Sequence, residues 1–261
     1  MSEAVNPYSP PSSNVRMPEQ PKSSGQLMAE PRAVGAGSSI TWLVQGWRLV
    51  KEDFGIWVLM ILAALGINIV LGFIPIIGSL ASSLLSSVFL AGFFIAGRAA
   101  ENGRSVEFTM LFEGFKTNFA PLVGISALSL ALGAVGGFAI GIGMYFLIAN
   151  LASIDPTQIE QLYSNTYFWG MVIIGAIYFA WVVMLLWFAT PLVALNNVPV
   201  FKAMGMSQKA CFYNILPLLL CSIMAIILFA IGALALLVGL LVVLPVLMGA
   251  YYKSYQQIFL K

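Results

Sequence analysis

The sequence contains no histidine, only two cysteines and few charged residues: Asp, Glu, Lys and Arg together make up 8% of its 261 residues. Histidine is the commonest metal ligand and the usual general base near neutral pH, so its absence excludes the familiar histidine-based sites. Soluble domains carry about 25% charged residues. With 60% hydrophobic residues and a mean hydropathy of +0.95, the composition predicts an integral membrane protein.

No residue pattern in the chain indicates catalysis or cofactor binding. A serine hydrolase needs a histidine base, and an aspartyl intramembrane protease needs a buried Asp pair that the apolar segments lack. Cys211 and Cys221 lie about 15 Å apart at helical rise, which is too far for a disulfide between them. The net charge of +2 is too small to indicate nucleic-acid binding. We therefore expect no catalytic residue, metal, cofactor or nucleic-acid partner.

Residues 1–38 are polar and rich in Pro, Ser and Gly. They cannot bury enough surface to fold alone, so the sequence predicts a disordered cytoplasmic tail whose removal leaves stability unchanged. The segment also lacks the apolar core of a signal peptide, so the first membrane helix is expected to direct insertion. The Pro-rich stretch Asn6–Pro11 leaves open an alternative in which the tail binds a protein partner.

Three related sites divide residues 39–261, which we predict to be one all-α membrane domain. Asp or Asn can cap a helix N-terminus, and Pro is tolerated in the first helical turn. The sites share an Asp or Asn directly before an apolar block, and two of them have Pro three residues later. These markers are Asp53, Asn118, Pro121, Asn214 and Pro217. The pattern predicts a polytopic helix bundle built as three pseudo-repeated hairpins.

Amphipathic stretches precede the three sites, at residues 40–52, 106–117 and 200–212. The first shows an apolar stripe at helical spacing that includes Ile40, Val44 and Trp47. A helix lying on the cytoplasmic membrane surface needs such a stripe, and so does a helix packed on the end of the bundle. The pattern therefore predicts interfacial helices but leaves both arrangements open.

Six apolar blocks are long enough to be membrane spans: about 54–74, 79–97, 119–148, 167–195, 215–234 and 236–255. The last two form one continuous run that is too long for a single span of about 20 residues. With six spans, all 12 basic residues fall on one side of the membrane. The positive-inside rule makes that side cytoplasmic, together with both termini.

Polar residues inside the predicted spans are uncharged. They are Asn68, Ser79, Ser82, Ser83, Ser86 and Ser87 in the first two spans. Hydrogen bonds within or between helices account for most such residues, and a polar path through the membrane is the functional alternative. The absence of a charge near the membrane centre argues against proton-coupled transport.

Small residues recur every four positions in the third span: Ser129, Gly133, Gly137 and Gly141. Such a face lets a neighbouring helix approach closely, so we predict internal packing there, with a homodimer seam as the second interpretation. As one helix, this block would be about 50 Å long against a hydrocarbon core of about 30 Å.

Part of the sequence resembles known bacterial membrane proteins. The pattern Ala203-x3-Ser207-x6-Asn214-x2-Pro217, followed by a hairpin that ends near Tyr252, resembles the YciC-like group and the membrane domain of some glycerophosphodiester phosphodiesterases. The stretch 42–119 is similar to a proteobacterial family of hypothetical membrane proteins. The resemblance implies six helices and a bacterial inner membrane, but no established activity.

Two functions follow as hypotheses. The sequence favours a non-catalytic membrane scaffold or assembly factor that contacts a partner or lipid through its tail and interfacial helices. The alternative is a transporter or channel for an apolar or lipid-like solute without proton coupling, because internal repeats are common in transporters.

The six-span topology is testable by cysteine labelling. In a cysteine-free background, single cysteines at Thr157 and Ser164 should react with an impermeant maleimide in intact cells, because both lie in the predicted periplasmic loop. Cysteines at Ser12 and Asn102 should react only after the cells are permeabilised. Labelling of Ser12 or Asn102 in intact cells would contradict the topology.

Overall fold

A computed structural model describes residues 25–151, 166–235 and 238–261, and for residues 147–151 the backbone alone. The described chain is helical, with one isolated bridge between Leu27 and Leu260. Its α-helices are α1 (Ser38–Val50), α2 (Phe54–Gly72), α3 (Ile77–Glu101), α4 (Glu113–Lys116), α5 (Phe119–Leu151), α6 (Thr166–Leu186), α7 (Ala189–Asn196), α8 (Val200–Tyr213), α9 (Ile215–Leu234) and α10 (Leu240–Phe259). A 3-10 helix, Phe108–Phe112, precedes α4.

Five of the described helices are long and apolar enough to cross a membrane. They are Phe54–Gly72, Ile77–Glu101, Phe119–Phe146, Thr166–Asn196 and Ile215–Leu234. Their outer surfaces are strongly apolar: Phe73 is 81% exposed, Phe138 is 73% exposed and Leu234 is 85% exposed. Water would penalise so much exposed apolar area, so these surfaces face the lipid bilayer.

Helix α10, the sixth predicted span, is not among these five, so the count of six is not confirmed. Its first half is apolar, but its second half carries Lys253, Ser254, Gln256 and Gln257. This polar half packs within the protein, where Ser254 is buried and Lys253 pairs with Glu101 of α3. The average hydropathy of α10 is therefore lower than that of a lipid-facing helix.

Helix α1 crosses α10 where two glycines meet. A Cβ added to Gly46 would lie 2.4 Å from the backbone nitrogen of Ala250, and one added to Gly249 would lie 2.6 Å from the carbonyl oxygen of Gly46. Nearby, the Trp42 indole N–H donates to the side-chain oxygen of Gln257. The absence of side chains at Gly46 and Gly249 thus lets α1 lie directly on the backbone of α10.

The apolar stripe predicted for α1 is mostly exposed. Of its residues Val50 is buried, whereas Ile40, Val44 and Trp47 are exposed. The helix packs on the bundle through Trp42, which lies outside the predicted stripe and is fully buried.

In α8 the predicted apolar stripe is buried at Met204 and Cys211. Residues 106–117 form a 3-10 helix and one α-turn rather than the predicted continuous amphipathic helix.

The fourth predicted span is interrupted between α6 and α7. Pro191 has no N–H to donate to the carbonyl of Trp187, four residues earlier, and its ring crowds that carbonyl. The Tyr251 hydroxyl of α10 donates a hydrogen bond to the Trp187 carbonyl instead. A polar side chain from another helix therefore satisfies the group that proline leaves unpaired.

Ser207 of α8 satisfies two further backbone groups at the same interruption. Its hydroxyl accepts a hydrogen bond from the Phe188 N–H at 2.9 Å and donates one to the Met184 carbonyl at 2.7 Å. These two groups would bond to each other in a continuous helix, so the hydroxyl is inserted into the helical ladder. Ser207 is fully buried, as this role requires.

The face of α5 formed by Ser129, Gly133, Gly137 and Gly141 does not make the predicted close helix contact among the described residues. A Cβ added to any of these three glycines would have no neighbour within 4 Å. The contact with α6 uses a different face, where Gly136 lies under the ring of Tyr178 and the Tyr178 hydroxyl donates to the Leu132 carbonyl at 2.7 Å. The four-residue spacing of small residues therefore selected a face of α5 that does not pack against α6.

These contacts predict opposite effects for two matched substitutions. Gly46→Ala should lower the thermal stability of the purified protein, because the new methyl group collides with the α10 backbone; overpacking costs about 1–3 kcal/mol. Gly137→Ala should leave stability unchanged or slightly raised, since alanine favours helix and meets no neighbour. Equal melting temperatures for the two variants would contradict the α1–α10 crossing.

Candidate functional site

A groove of about 540 Å³ lies between α2, α3 and α5, and Met248 of α10 also lines it. Its lining combines hydroxyl and amide groups with aromatic and aliphatic side chains. The polar lining residues are Asn68, Ser82, Ser83, Ser86, Ser126 and Ser129. Four of these were predicted as members of a polar path, and the fold brings them together. We call this feature the serine groove.

The serine groove lies deep in the membrane-spanning part of the bundle. Ser86 is nine residues into α3, about 14 Å along the helix axis, and Ser126 is seven residues into α5, about 10 Å. The lining residues of α3 run from Ser82 to Phe93, so the groove extends along the middle of this helix.

Hydrogen bonds hold the outer part of the groove together. The Ser82 hydroxyl of α3 donates to the Asn68 side-chain oxygen of α2, and the Asn68 amide donates to the Ala64 carbonyl at 2.8 Å. Ser83 and Ser86 each donate to a carbonyl of their own helix at 2.8 Å. Each hydroxyl therefore has its proton engaged but keeps lone pairs that can accept a hydrogen bond.

The inner part of the groove is closed by a contact between α3 and α5. The Ser126 hydroxyl donates to the Ser87 hydroxyl oxygen at 2.8 Å and accepts from the Ser87 backbone N–H at 3.2 Å. Ser87 and Ser126 are both buried. Ser87 thus fastens the base of the groove rather than lining it, and Ser79 bonds to the Ile76 carbonyl outside it.

Ser126 and Ser129 are groove residues that the sequence interpretation missed. Ser129 was assigned to the glycine face of α5, and Ser126 was not singled out. The two lie three residues apart in an apolar helix, a spacing that places both on one face. That spacing alone could have identified them as candidates, but it could not indicate which neighbouring helix they face.

The predicted helix caps bond to distant segments of the chain. Asp53 makes no side-chain capping bond with α2; its carboxylate accepts a hydrogen bond from the Val106 N–H at 2.8 Å. Asn118 donates to the Val193 carbonyl at 3.1 Å and to the Asn197 side-chain oxygen at 2.6 Å. These bonds fix the start of α2 to the segment before the 3-10 helix, and the start of α5 to the end of α7.

Asn214 anchors the described part of the N-terminal segment, residues 25–37. Its side-chain oxygen accepts a hydrogen bond from the Val34 N–H at 2.8 Å, and its amide donates to the Arg32 carbonyl at 3.0 Å and to the Ala210 carbonyl at 2.9 Å. Asn214 is fully buried and makes no capping bond with α9. Its role is to hold a backbone segment, not to cap a helix.

Further contacts join residues 25–37 to the end of α10. The Met28 N–H donates to the Phe259 carbonyl at 2.8 Å, and the Lys261 N–H donates to the Gln26 carbonyl at 3.1 Å. Glu30 pairs with Lys209 of α8 at 3.0 Å and raises the pKa of this lysine. The segment placed in the tail by composition is thus in contact with the helices from residue 25; residues 1–24 lie outside the described residues.

The two cysteines lie on α8 and α9, one buried and one half-buried. Cys211 is buried in α8, where burial raises the pKa of its thiol to about 12, so the thiol stays protonated at neutral pH. Both cysteines are free. Within the described ranges, no three His, Cys, Asp or Glu side chains lie close enough together to hold a metal ion.

The comparisons with known proteins give one distant relative. The chain is 26% identical over 196 residues to a Burkholderia thailandensis protein named "Probable inner membrane protein", and the match covers 69% of each chain. No family model matches, so a relation to the YciC-like group or to the phosphodiesterase membrane domains is not shown. No solved structure matches. The apolar helices and the similarity to this relative both identify the chain as an integral membrane protein.

Proposed function

We propose that the protein binds a lipid-like molecule in the serine groove and acts without catalysing a reaction. The observation that carries the proposal is the gathering of Asn68 and several serine side chains around a space of about 540 Å³ inside the membrane-spanning region. This volume lies within the range of about 300–1,000 Å³ typical of small-molecule sites. The sequence favoured a scaffold; the open groove supports the alternative, a protein for a lipid-like solute.

The chemistry of the lining indicates the kind of ligand. The polar groups of the groove are uncharged, and most of their protons are bonded within the protein, so they act chiefly as hydrogen-bond acceptors. Phe89 and Phe93 provide apolar walls beside them. A hydroxyl- or amide-bearing lipid fits this lining, because its polar group gains partners that the hydrocarbon core does not provide.

The proposed function does not involve proton coupling. A proton-coupled carrier needs a titratable group near the membrane centre, and the groove lining contains none. Backbone carbonyls can still bind other ions, so the proposal concerns protons alone. We infer that movement of the ligand, if it occurs, follows its own concentration gradient.

We further propose that α10 is a sixth span and that both termini are cytoplasmic in a bacterial inner membrane. Gly232 of α9 and Gly239, directly before α10, are in contact, so α10 runs back along α9. Lys253 and Lys261 then lie at the same end of the bundle as the end of α3 and residues 25–37. This placement supports the one-sided distribution of basic residues.

A membrane scaffold remains a second candidate function, because Asn214 fixes residues 32–34 to the bundle. The Pro-rich stretch Asn6–Pro11 precedes this anchored segment in the sequence. A stoichiometric protein partner that is lost when residues 1–24 are removed would favour this function, and homo-oligomerisation would be the simplest form of it.

The groove can be tested by filling it. Ser86→Leu places an apolar side chain in the groove, and Ser222→Leu is the matched control on α9, outside the groove lining. We expect native mass spectrometry to detect about one retained lipid-like molecule on the wild-type protein and on Ser222→Leu, and much less on Ser86→Leu. Both variants should show unchanged helical content.

The proposal fails if the wild-type protein retains no lipid beyond the amount that exchanges with detergent. It also fails if Ser86→Leu and Ser222→Leu retain the same amount as wild type. If the wild-type protein does retain a molecule, its fragmentation spectrum identifies the chemical class of the ligand.

A further inference from the structure

A second concave site lies at the end of the bundle that carries residues 25–37, and it differs from the serine groove in being charged. Its volume is about 540 Å³, and it is formed by the end of α1, the link between α1 and α2, the end of α3 with its following loop, and α10. Three basic and three acidic side chains line it: Arg48, Arg104 and Lys253 with Glu52, Asp53 and Glu101. We call it the charged pocket.

Part of this charge is already paired within the protein. Lys253 forms an ion pair with Glu101, and Gln256 bonds to both side chains, at 3.0 and 3.1 Å. This pair is largely buried, with the Lys253 side chain 12% exposed. Together the paired groups form a neutral wall, so they contribute little net charge to a ligand.

The remaining charges are balanced and available. Arg48 and Arg104 are exposed, and neither forms an ion pair with another described residue. Glu52 is exposed, and Asp53 has one carboxylate oxygen bonded to the Val106 N–H. Two guanidinium groups and two carboxylates therefore face one space.

A balanced pocket favours a ligand that carries both charges. A simple anion would be attracted by Arg48 and Arg104 but repelled by the two carboxylates. A simple cation would be attracted by the carboxylates but repelled by the two guanidinium groups. In a zwitterion, a phosphate can bind the guanidinium groups, for which bidentate bonding is favourable, while an ammonium group binds the carboxylates.

The pocket lies where α2 begins and α3 ends, and its lining residue Arg48 directly follows the exposed Trp47 of α1, whose ring contacts Phe54 at 5.9 Å. Aromatic side chains of this kind are enriched at the level of lipid headgroups. The site is independent of the serine groove, since the two share no lining residue.

We propose that the charged pocket binds a phosphoethanolamine-type zwitterion, a phosphate diester or monoester joined by a short chain to a primary ammonium group. Its source is either the headgroup of a membrane phospholipid or a free phosphoethanolamine in the cytoplasm. Both sources present the same chemistry to Arg48, Arg104, Glu52 and Asp53.

The experiment compares lipids that differ only in their headgroup. The full-length protein in detergent is mixed with dioleoyl-phosphatidylethanolamine, dioleoyl-phosphatidylglycerol or dioleoyl-phosphatidylcholine, and retained lipid is measured by native mass spectrometry. Phosphatidylethanolamine should be retained most, because glycerol has no ammonium group and choline's trimethylated ammonium donates no hydrogen bond. Soluble O-phosphoethanolamine is added as a competitor in a second arm.

Variants separate the two halves of the pocket. Arg48→Gln and Arg104→Gln should each weaken phosphatidylethanolamine binding about tenfold, since each removes a charge-assisted hydrogen bond. Glu52→Gln should reduce the preference for phosphatidylethanolamine over phosphatidylglycerol. Lys202→Gln is the control, because Lys202 is an exposed basic residue of α8 outside the pocket.

Each outcome decides the proposal. Competition by soluble O-phosphoethanolamine at lipid-like affinity would identify a free cytoplasmic ligand, and lipid binding without such competition would identify a headgroup. Equal retention of all three lipids would overturn the proposal. So would equal effects of Arg48→Gln, Arg104→Gln and Lys202→Gln, since the binding would then be general attraction to basic residues. Unchanged melting temperatures of the variants exclude misfolding as the cause.

Discussion

Backbone groups without a helical partner are the constraint on which this structure depends. Inside a bilayer, an N–H or C=O group that lacks a hydrogen bond is costly because no water replaces the missing partner. The protein meets this constraint with single polar side chains from distant parts of the chain. Ser207 is inserted into the break between α6 and α7, and Tyr251 bonds to the carbonyl that Pro191 leaves unpaired.

The same principle operates where the chain enters the bundle. Asp53 bonds to Val106, Asn118 to Val193, and Asn214 to residues 32–34. These bonds join segments far apart in the sequence and fix the starts of α2, α5 and α9. The serine groove lies between α2, α3 and α5, and the charged pocket lies at the ends of α1 and α3 beside α10. Both candidate sites thus border helices that these anchors hold.

Much of the helical architecture could be predicted from the sequence, because hydropathy identifies apolar helices directly. The start of α2 at Phe54 and the start of α9 at Ile215 agree with the predicted spans. The neighbours of each residue could not be predicted in the same way. Four-residue spacing selected Gly133 and Gly137, whereas the close crossing uses Gly46 and Gly249 on helices that are distant in the sequence. Likewise, composition placed residues 25–37 in a tail, since the buried Asn214 and the backbone bonds to the end of α10 that hold this segment leave no trace in the composition.

The anchoring by Asn214 is the most direct test of this account, and amide hydrogen exchange measures it. In the wild-type protein, a peptide covering residues 26–36 should exchange slowly. In Asn214→Ala, exchange there should accelerate about tenfold or more, because buried hydrogen bonds worth about 1–3 kcal/mol are lost. Asn118→Ala should leave this peptide protected, and a peptide from α3 should be unchanged in Asn214→Ala. Rapid exchange of residues 26–36 in the wild-type protein, or equal protection in Asn214→Ala, would contradict the account.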